Sequence, residues 1–427
     1  MADGAPDPAP AAPPLDPTPA GPTREGQRIV ALDVLRGVAI LGILPVNVLS
    51  FGLPAAVIEE PVHFMSPARS EAVAHGLLQA LFGYKFITIF ALLFGAGLAL
   101  QRARAGDDPA FYPRTGWRLA LLAGLGLAHA FGLWHGDVLF FYATIGAVAL
   151  ALSWFPTPAL LALGLLGAVA APAGVLLLMS LAPVPAEVGP RTIEAALAAP
   201  DLAGAVGPIG LGREVEVFRG GSYVEMLGIR ALHWLYQLGA MLLIFGWRVA
   251  GLFFLGIAGQ RLGLLRPDER ARRVLRALLV GGLLVGLPLE VWQAVVKATG
   301  PAPFPTLMRV EAAHQVGSLA LALAYASAVL LVPAAWLPKA PLRWLSNVGR
   351  LALTNYLVQT VICTFVFYSY GLGLFATLTR VQLWGVALAV WAVQLALSAL
   401  WLRWFVMGPV EWAWRSLTWL KAQPLRR

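Results

Sequence analysis

The chain has 427 residues, of which 59% are hydrophobic and 12% are charged, and its mean hydropathy is +0.74. Because a soluble globular protein carries about 25% charged residues, this composition excludes a soluble enzyme, a disordered protein and a coiled coil, and it predicts a polytopic membrane protein. The 31 Lys and Arg against 22 Asp and Glu give a net charge of +9, which we attribute to basic loops that orient the chain in a bilayer rather than to a nucleic-acid surface.

The predicted fold class is all-α, a transmembrane helical bundle of about ten spans. Residues 1–28 are rich in Pro and Ala and predict a disordered tail, without the charged and apolar regions of a signal peptide. We expect one membrane domain over 29–418, with an outer loop at 182–227 and a basic tail at 419–427. Each apolar run is long enough to cross a hydrocarbon layer of about 30 Å, and the predicted spans are 29–51, 78–101, 117–134, 136–154, 157–181, 228–260, 274–296, 312–336, 346–372 and 383–402. The sixth is over-long, and whether it is one span or two stays open.

The distribution of Lys and Arg predicts the orientation. If the N-terminus is inside, the cytoplasmic segments hold 20 basic residues and the opposite loops hold 7. This bias favours both termini in the cytoplasm.

Ionisable residues inside spans are costly and usually mark a pathway or site. Asp33 and Arg36 share a face of the first span; either they neutralise each other, or Arg36 faces a cavity and holds an anionic group such as a phosphate. Asn47 lies three turns further on, where it either bonds another helix or orients a carbonyl and stabilises an oxyanion. Lys85 in the second span either snorkels to the interface or points into a cavity.

The strongest catalytic candidates lie in the turn between spans three and four. The segment HAFGLWHGDVLFFYA brings His129, His135 and Asp137 to the outer boundary. A histidine held by a carboxylate can act as a general base, so His129 would take a proton from a hydroxyl or amine while Asp137 orients the imidazole. The alternative is a polar turn with an interfacial histidine. The spacing matches no compact metal-ligand motif, so no metal is expected.

Further polar residues at membrane depth predict a wet bundle interior that could line a substrate cavity. Alternatively, such residues only join helices. They are Glu290, Gln293, Gln315, Asn355 and Gln359.

The sequence has no GxxxxGK[ST], HExxH, CxxCH or GxSxG motif, which argues against a P-loop motor, a zincin, a c-type haem protein and a serine-elbow hydrolase. The segments that remain distinctive are RIVALDVLRGVAILGILPVNVLSFG, KFITIFALLFGAGLAL, LAHAFGLWHGDVLFFYA, GRLALTNYLVQTVICTFVFY and GPVEWAWRSLT. Together they resemble the YeiB-like family of bacterial inner-membrane proteins, over nearly all of residues 29–418.

That family in turn resembles the transmembrane acyltransferase superfamily, which includes the heparan glucosaminide acetyltransferase and bacterial glycan O-acetyltransferases. The link is the first span, where the superfamily's arginine and asparagine correspond to Arg36 and Asn47. The catalytic histidine of the glucosaminide branch would fall at Ile58, so His129 or His135 is the predicted replacement base. The resemblance implies transfer of an acyl group, with acetyl as the expected one, from cytoplasmic acyl-CoA to a hydroxyl or amine of an extracytoplasmic glycan, lipid or small molecule.

Two other functions remain open at this point. A transporter would use the polar spans as a solute path, although the paired halves typical of transporters are not found. A non-enzymatic membrane scaffold would tolerate the loss of Asn47, His129 and Asp137. The expected partners are the lipid bilayer and the acceptor substrate; the sequence leaves open the acceptor, the acyl chain and whether the protein is a homodimer.

Overall fold

A computed structural model describes residues 29–59, 68–181, 209–299 and 303–427. The predicted tail 1–28 and the first part of the predicted outer loop, 182–208, lie outside these ranges. The described residues form helices and no β-strand, apart from one isolated bridge between Phe405 and Arg426. The predicted all-α class is therefore confirmed.

Sixteen α-helices can be numbered along the described residues. They are α1 (Val30–Gly52), α2 (Ala55–Glu59), α3 (Arg69–Leu81), α4 (Lys85–Ala105), α5 (Phe111–Gly132), α6 (Leu139–Ala151), α7 (Thr157–Leu181), α8 (Leu211–Gly220), α9 (Tyr223–Ala240), α10 (Gly246–Arg261), α11 (Glu269–Ala298), α12 (Phe304–Leu330), α13 (Leu342–Arg350), α14 (Ala352–Phe367), α15 (Arg380–Trp401) and α16 (Pro409–Trp419).

Several of these helices suit a bilayer, so the protein is a multi-pass membrane protein. Among the described residues, five helical segments are long and apolar enough to cross, or six if the bent pair α13 and α14 counts as one. The predicted span 346–372 is broken, because α13 and α14 meet at 85°. The over-long sixth segment is one helical run, in which a π-helical turn, Met241–Phe245, joins α9 to α10. The total of ten spans and the orientation of the termini stay predictions.

Helix α1 lies in the middle of the bundle, against α4, α12, α13, α14 and α15. In its most apolar stretch, 67% of the residues are buried, compared with 17% in α11. The crossing of α1 and α13 depends on two glycines: a Cβ on Gly37 would lie 1.9 Å from the Leu345 carbonyl oxygen, and one on Gly349 would lie 1.8 Å from that of Asp33. Small residues thus let the two backbones touch.

Pro45 interrupts the hydrogen bonding of α1 near its middle. A proline has no N–H to donate to the carbonyl four residues earlier, which here belongs to Leu41. The Trp391 indole N–H donates to that carbonyl at 2.9 Å. A neighbouring helix therefore satisfies the group that the proline leaves free, as a membrane interior requires.

The last residues are folded back rather than extended. The predicted basic tail 419–427 runs against 404–406, where the Val406 N–H donates to Leu425 O at 2.9 Å and the Arg427 N–H donates to Trp404 O at 3.1 Å. This end of the chain lies beside α16, which contributes to the site described next.

Candidate functional site

A cavity of about 460 Å³ lies between α1, α4, α5, α6, α13, α14 and α16. This volume falls within the usual range for small-molecule sites, about 300–1,000 Å³. Its inner wall is apolar and aromatic and includes Ile40, Phe90 and Tyr142. Its lining includes six arginines, contributed by segments that the charge count places at the cytoplasmic end: Arg36, Arg104, Arg114, Arg118, Arg350 and Arg415.

Two of these arginines are held by tryptophans of α16. The Arg118 guanidinium lies 4.1 Å from the centre of the Trp414 ring, and that of Arg114 lies 4.3 Å from Trp419. The Trp414 indole N–H also donates to the Arg118 carbonyl at 3.1 Å. Cation–π contacts and hydrogen bonds therefore position the basic groups that line the cavity.

Glu411, in the GPVEW segment, joins α16 to the start of α14. The N–H groups of Leu353 and Thr354 donate to its Oε1 at 2.8 and 3.1 Å, which satisfies donors that a helix leaves free at its N-terminus. Burial raises the pKa of the Glu411 carboxyl above its usual range, against these hydrogen bonds, which lower it. The Glu411 carboxyl thus binds the N-terminus of α14, and Glu411 is also on the lining of the cavity.

Asp33 and Arg36 both line the cavity. Arg36 Nη1 donates to Asp33 Oδ1 at 3.0 Å, and 36% of the Arg36 side chain remains exposed. The two readings of this pair are thus compatible: the charges neutralise each other in part, and Arg36 still faces the space in which an anion could bind.

The inner end of the cavity lies directly against a buried hydrogen-bonded chain. His129 Nδ1 lies 3.0 Å from Asp137 Oδ1, and His129 Nε2 lies 2.9 Å from Thr360 Oγ1. These three residues are 2% exposed or less. None of the three lines the cavity, but two of their neighbours do: Val138, which follows Asp137, and Tyr356, whose ring centre lies 5.1 Å from that of His129.

Local sequence explains why Asp137 meets His129. Helix α5 ends at Gly132, the chain turns, and α6 begins at Leu139, so that Asp137 Oδ2 accepts the Phe140 N–H at 2.8 Å. A Cβ on Gly126 would lie 2.3 Å from Phe140 N and 2.7 Å from Asp137 Oδ2. Glycine at 126 therefore leaves room for the Asp137 carboxylate to pack against α5, one helical turn before His129.

His135 belongs to a second group, on the predicted outer side. Its ring stacks on that of His233, with ring centres 4.6 Å apart, and His233 Nε2 lies 3.3 Å from Glu214 Oε1. Trp134 stands between His129 and His135, with ring centres 6.2 and 6.0 Å from theirs. The structure therefore brings Asp137, and not His135, to His129.

Asn47 is partly buried in α1. It is not among the residues that line the 460 Å³ cavity. The structure thus places Arg36 on that cavity and leaves Asn47 off its lining.

Lys85, Glu290 and Gln293 meet in another place, between α3, α4, α11 and α12. Lys85 Nζ donates to Glu290 Oε2 at 2.6 Å, and both side chains are 0% exposed. Gln293 Nε2 donates to the same oxygen at 3.0 Å, and His314 Nδ1 lies 3.0 Å from it. None of these four residues lines the large cavity. We call Lys85, Glu290, Gln293 and His314 the lysine cluster.

Gln315 lies beside the lysine cluster, and its amide oxygen accepts a hydrogen bond from Arg248. Asn355 and Gln359, by contrast, are part of a ladder between α1, α14 and α15. Gln359 Nε2 donates to Ile40 O at 3.1 Å and to Gln394 Oε1 at 2.9 Å, and Asn355 Nδ2 donates to Ser398 Oγ at 3.0 Å. The predicted substrate-cavity residues therefore form two separate buried networks, and none is on the lining of the large cavity.

The sequence reasoning did not select Thr360 or the arginines of α5 and α16. Thr360 is in the distinctive segment GRLALTNYLVQTVICTFVFY, but a threonine in an apolar helix gives no signal by itself. The densest run of basic residues in the chain is not on the cavity lining; it consists of Arg261, Arg266, Arg270, Arg272 and Arg273. Helix packing, not the density of charge along the chain, decides which basic residues face the cavity.

Two bacterial proteins are similar to this chain over nearly its whole length. The chain is 34% identical over 420 residues to the uncharacterized protein YeiB of Escherichia coli K12, covering 93% of this chain and 98% of that protein. It is 31% identical over 418 residues to the uncharacterized protein YxaH of Bacillus subtilis 168, covering 95% and 98%. A third similarity, 36% over 101 residues, is to an uncharacterized 39.9 kDa protein of Bacillus acidopullulyticus, and covers 24% of this chain and 29% of that protein.

The family described as "Protein of unknown function (DUF418)" matches residues 260–421. This range includes Thr360 and the two α16 tryptophans that contact Arg118 and Arg114, Trp414 and Trp419. The two bacterial relatives extend the similarity over more than nine tenths of the chain. The chain belongs to the YeiB-like family of bacterial multi-pass membrane proteins.

Proposed function

We propose that this protein is an acyltransferase of the bacterial cytoplasmic membrane. It takes an acyl group, most simply acetyl, from acyl-CoA on the cytoplasmic side and passes it to a hydroxyl or amine of an extracytoplasmic acceptor. The observation that carries the proposal is the cavity whose lining runs from six arginines through an apolar interior to Val138 and Tyr356, the neighbours of the buried His129–Asp137 pair.

The form of the cavity supports an acyl thioester as donor. Coenzyme A has phosphates at one end and a long, mostly uncharged arm that ends in the thiol. Guanidinium groups bind phosphates well because they donate several N–H bonds in a fixed plane. The arginines would hold the phosphates while the arm extends along the apolar walls, which places the thioester at Tyr356 and Val138, next to His129.

The hydrogen bonds of His129 support a role as general base. An ionised carboxylate accepts hydrogen bonds and donates none. Asp137 in this form selects the tautomer in which His129 Nδ1 carries the proton and Nε2 is the acceptor. A hydroxyl already occupies the position of the proton donor, 2.9 Å from Nε2. Acyl transfer needs a base at this distance from the attacking group.

The proposal is tested with purified protein in liposomes and labelled acetyl-CoA. We expect release of free coenzyme A, measured with a thiol reagent, and faster release when the correct glycan, lipid or amine acceptor is added. His129→Gln should lower the rate by about 10²–10⁴-fold, the usual contribution of a general base. His75→Gln is the matched control, since His75 is also 2% exposed and lies in α3, a helix that contributes no residue to the lining of the large cavity.

Two results would contradict the proposal. One is the absence of coenzyme A binding by folded protein at millimolar ligand. The other is movement of a solute across the liposome membrane with no thiol released, which is what a transporter would give.

A further inference from the structure

We infer that Thr360 is the nucleophile of this site and that the reaction passes through an acyl ester on its Oγ1. This inference rests on the proposed function and adds a covalent intermediate to it. Neither the sequence around Thr360 nor the proposed role of His129 as general base requires this residue of α14 to react.

The geometry is that of a hydroxyl–imidazole–carboxylate triad. Thr360 Oγ1, His129 Nε2, His129 Nδ1 and Asp137 Oδ1 follow one another, with hydrogen-bond distances of 2.9 and 3.0 Å. A hydroxyl is a weak nucleophile until a neighbouring base takes its proton, and the base in turn needs a group that orients it. Residues far apart in the chain, 129 and 360, meet here to supply those parts.

The hydroxyl proton has two acceptors within reach, and distance favours the histidine. Thr360 Oγ1 lies 2.9 Å from His129 Nε2 but 3.4 Å from the Tyr356 carbonyl oxygen of its own helix. A threonine that only stabilised the helix would bond to that carbonyl at normal distance. The longer separation shows that the side chain is directed towards the imidazole.

A donor for the developing oxyanion is present nearby. The Trp134 indole N–H is buried and has no hydrogen-bond partner among the described residues, although a buried indole normally finds one. Its ring centre lies 6.2 Å from that of His129. Such an unused donor beside a triad fits a site in which negative charge forms only during reaction.

The first half-reaction forms the ester. Thr360 Oγ1 attacks the carbonyl carbon of the thioester while its proton passes to His129 Nε2. The tetrahedral intermediate collapses, the carbon–sulfur bond breaks, and the departing thiolate takes the proton from His129 and leaves as free thiol. The acyl group is then bound to Thr360.

The second half-reaction regenerates the enzyme. The acceptor hydroxyl or amine gives a proton to His129 Nε2 and attacks the ester carbon. The bond from that carbon to Thr360 Oγ1 breaks, and Oγ1 recovers the proton from His129. The sum is transfer of the acyl group from sulfur to the acceptor, with no other reactant.

The test uses the full chain in liposomes with labelled acetyl-CoA and no acceptor. We expect one acetyl group on the peptide that contains Thr360, found by mass spectrometry and removed by hydroxylamine. Thr360→Val, which keeps the branched shape, should lose the label and lower acyl transfer by at least ~10³-fold. Thr360→Ser should keep both. The control is Thr364→Val, one turn along the same helix, where the hydroxyl donates to the Val361 carbonyl at 3.3 Å and both readouts should be unchanged.

The outcomes separate this inference from the function on which it rests. If Thr360→Val transfers acyl groups at the wild-type rate while His129→Gln does not, the acceptor attacks the thioester directly: the threonine assignment is wrong and the acyltransferase stands. If wild-type protein releases no thiol from acetyl-CoA with any acceptor, the proposed function fails. Label on a residue other than Thr360 also overturns the inference.

Discussion

Two buried ionic groups in this bundle have similar burial and opposite surroundings. The lysine cluster is completed by its own members: Lys85, Gln293 and His314 all lie within hydrogen-bond distance of the Glu290 carboxylate. The His129–Asp137 pair lies against the 460 Å³ cavity and is bonded to a hydroxyl that can act in a reaction. The two groups therefore differ not in burial but in what surrounds them: the cavity lining includes Val138 and Tyr356, the neighbours of the His129–Asp137 pair, and no member of the lysine cluster.

Strain adds to the contrast. Tyr84, immediately before Lys85, has a left-handed backbone with φ of 58°, which is unfavourable for a residue with a side chain. The Tyr84 ring packs on the lysine cluster, with its centre 5.0 Å from that of His314. The comparison leads us to expect that damage to the lysine cluster lowers stability, whereas damage near His129 lowers activity.

The largest effect that we expect from this comparison is on stability. Lys85→Met leaves the Glu290 charge buried without its main partner, which should lower the free energy of unfolding by about 3–5 kcal/mol. Lys85→Met combined with Glu290→Gln removes both charges and should restore most of that loss. Thermal and denaturant unfolding in detergent measure both. If the double variant is less stable than Lys85→Met, the lysine cluster is not mainly an ion pair.

The second effect is on activity, through the position of Asp137. Gly126→Ala introduces a Cβ 2.7 Å from Asp137 Oδ2, so the carboxylate must move. A shift of about 1 Å at a catalytic group costs roughly 10²-fold in rate. Gly124→Ala is the control, since a Cβ there has no neighbour within 4 Å. Equal rates of acyl transfer in the two variants would show that the His129–Asp137 geometry does not limit the reaction.

The smallest effect is on donor binding at the mouth of the cavity. Arg118→Gln and Arg415→Gln should each raise the KM for acyl-CoA about 5-fold, from about 1 kcal/mol per partly exposed charge contact, with kcat nearly unchanged. Arg270→Gln is the control, because Arg270 is exposed and not on the cavity lining. If all three variants raise KM equally, the effect comes from overall charge rather than from this cavity.

The chain's composition was enough to predict a multi-pass helical membrane protein, because apolar runs of about 20 residues have few other stable locations. The turn between α5 and α6 also allowed His129 and Asp137 to be selected, since both lie within a short segment. The broken span at 350–352 was not predicted, because the 85° bend depends on a contact between distant helices, where α13 crosses α1 at Gly37 and Gly349.

The amino-acid sequence by itself therefore determined local features: the apolar character of the helices, and the candidate base His129 with its carboxylate, Asp137. What only the tertiary structure decided is which distant side chains meet. It brings Thr360 to His129 across 231 positions, gathers Lys85 with Glu290 away from the cavity, and turns the arginines of α5 and α16 towards it. The physical reason is that the helices of a membrane protein are all similarly apolar, so close contacts and buried polar groups decide which helices pack together. Which of those polar groups pair depends on the packing, and the spacing of residues along the sequence does not encode it.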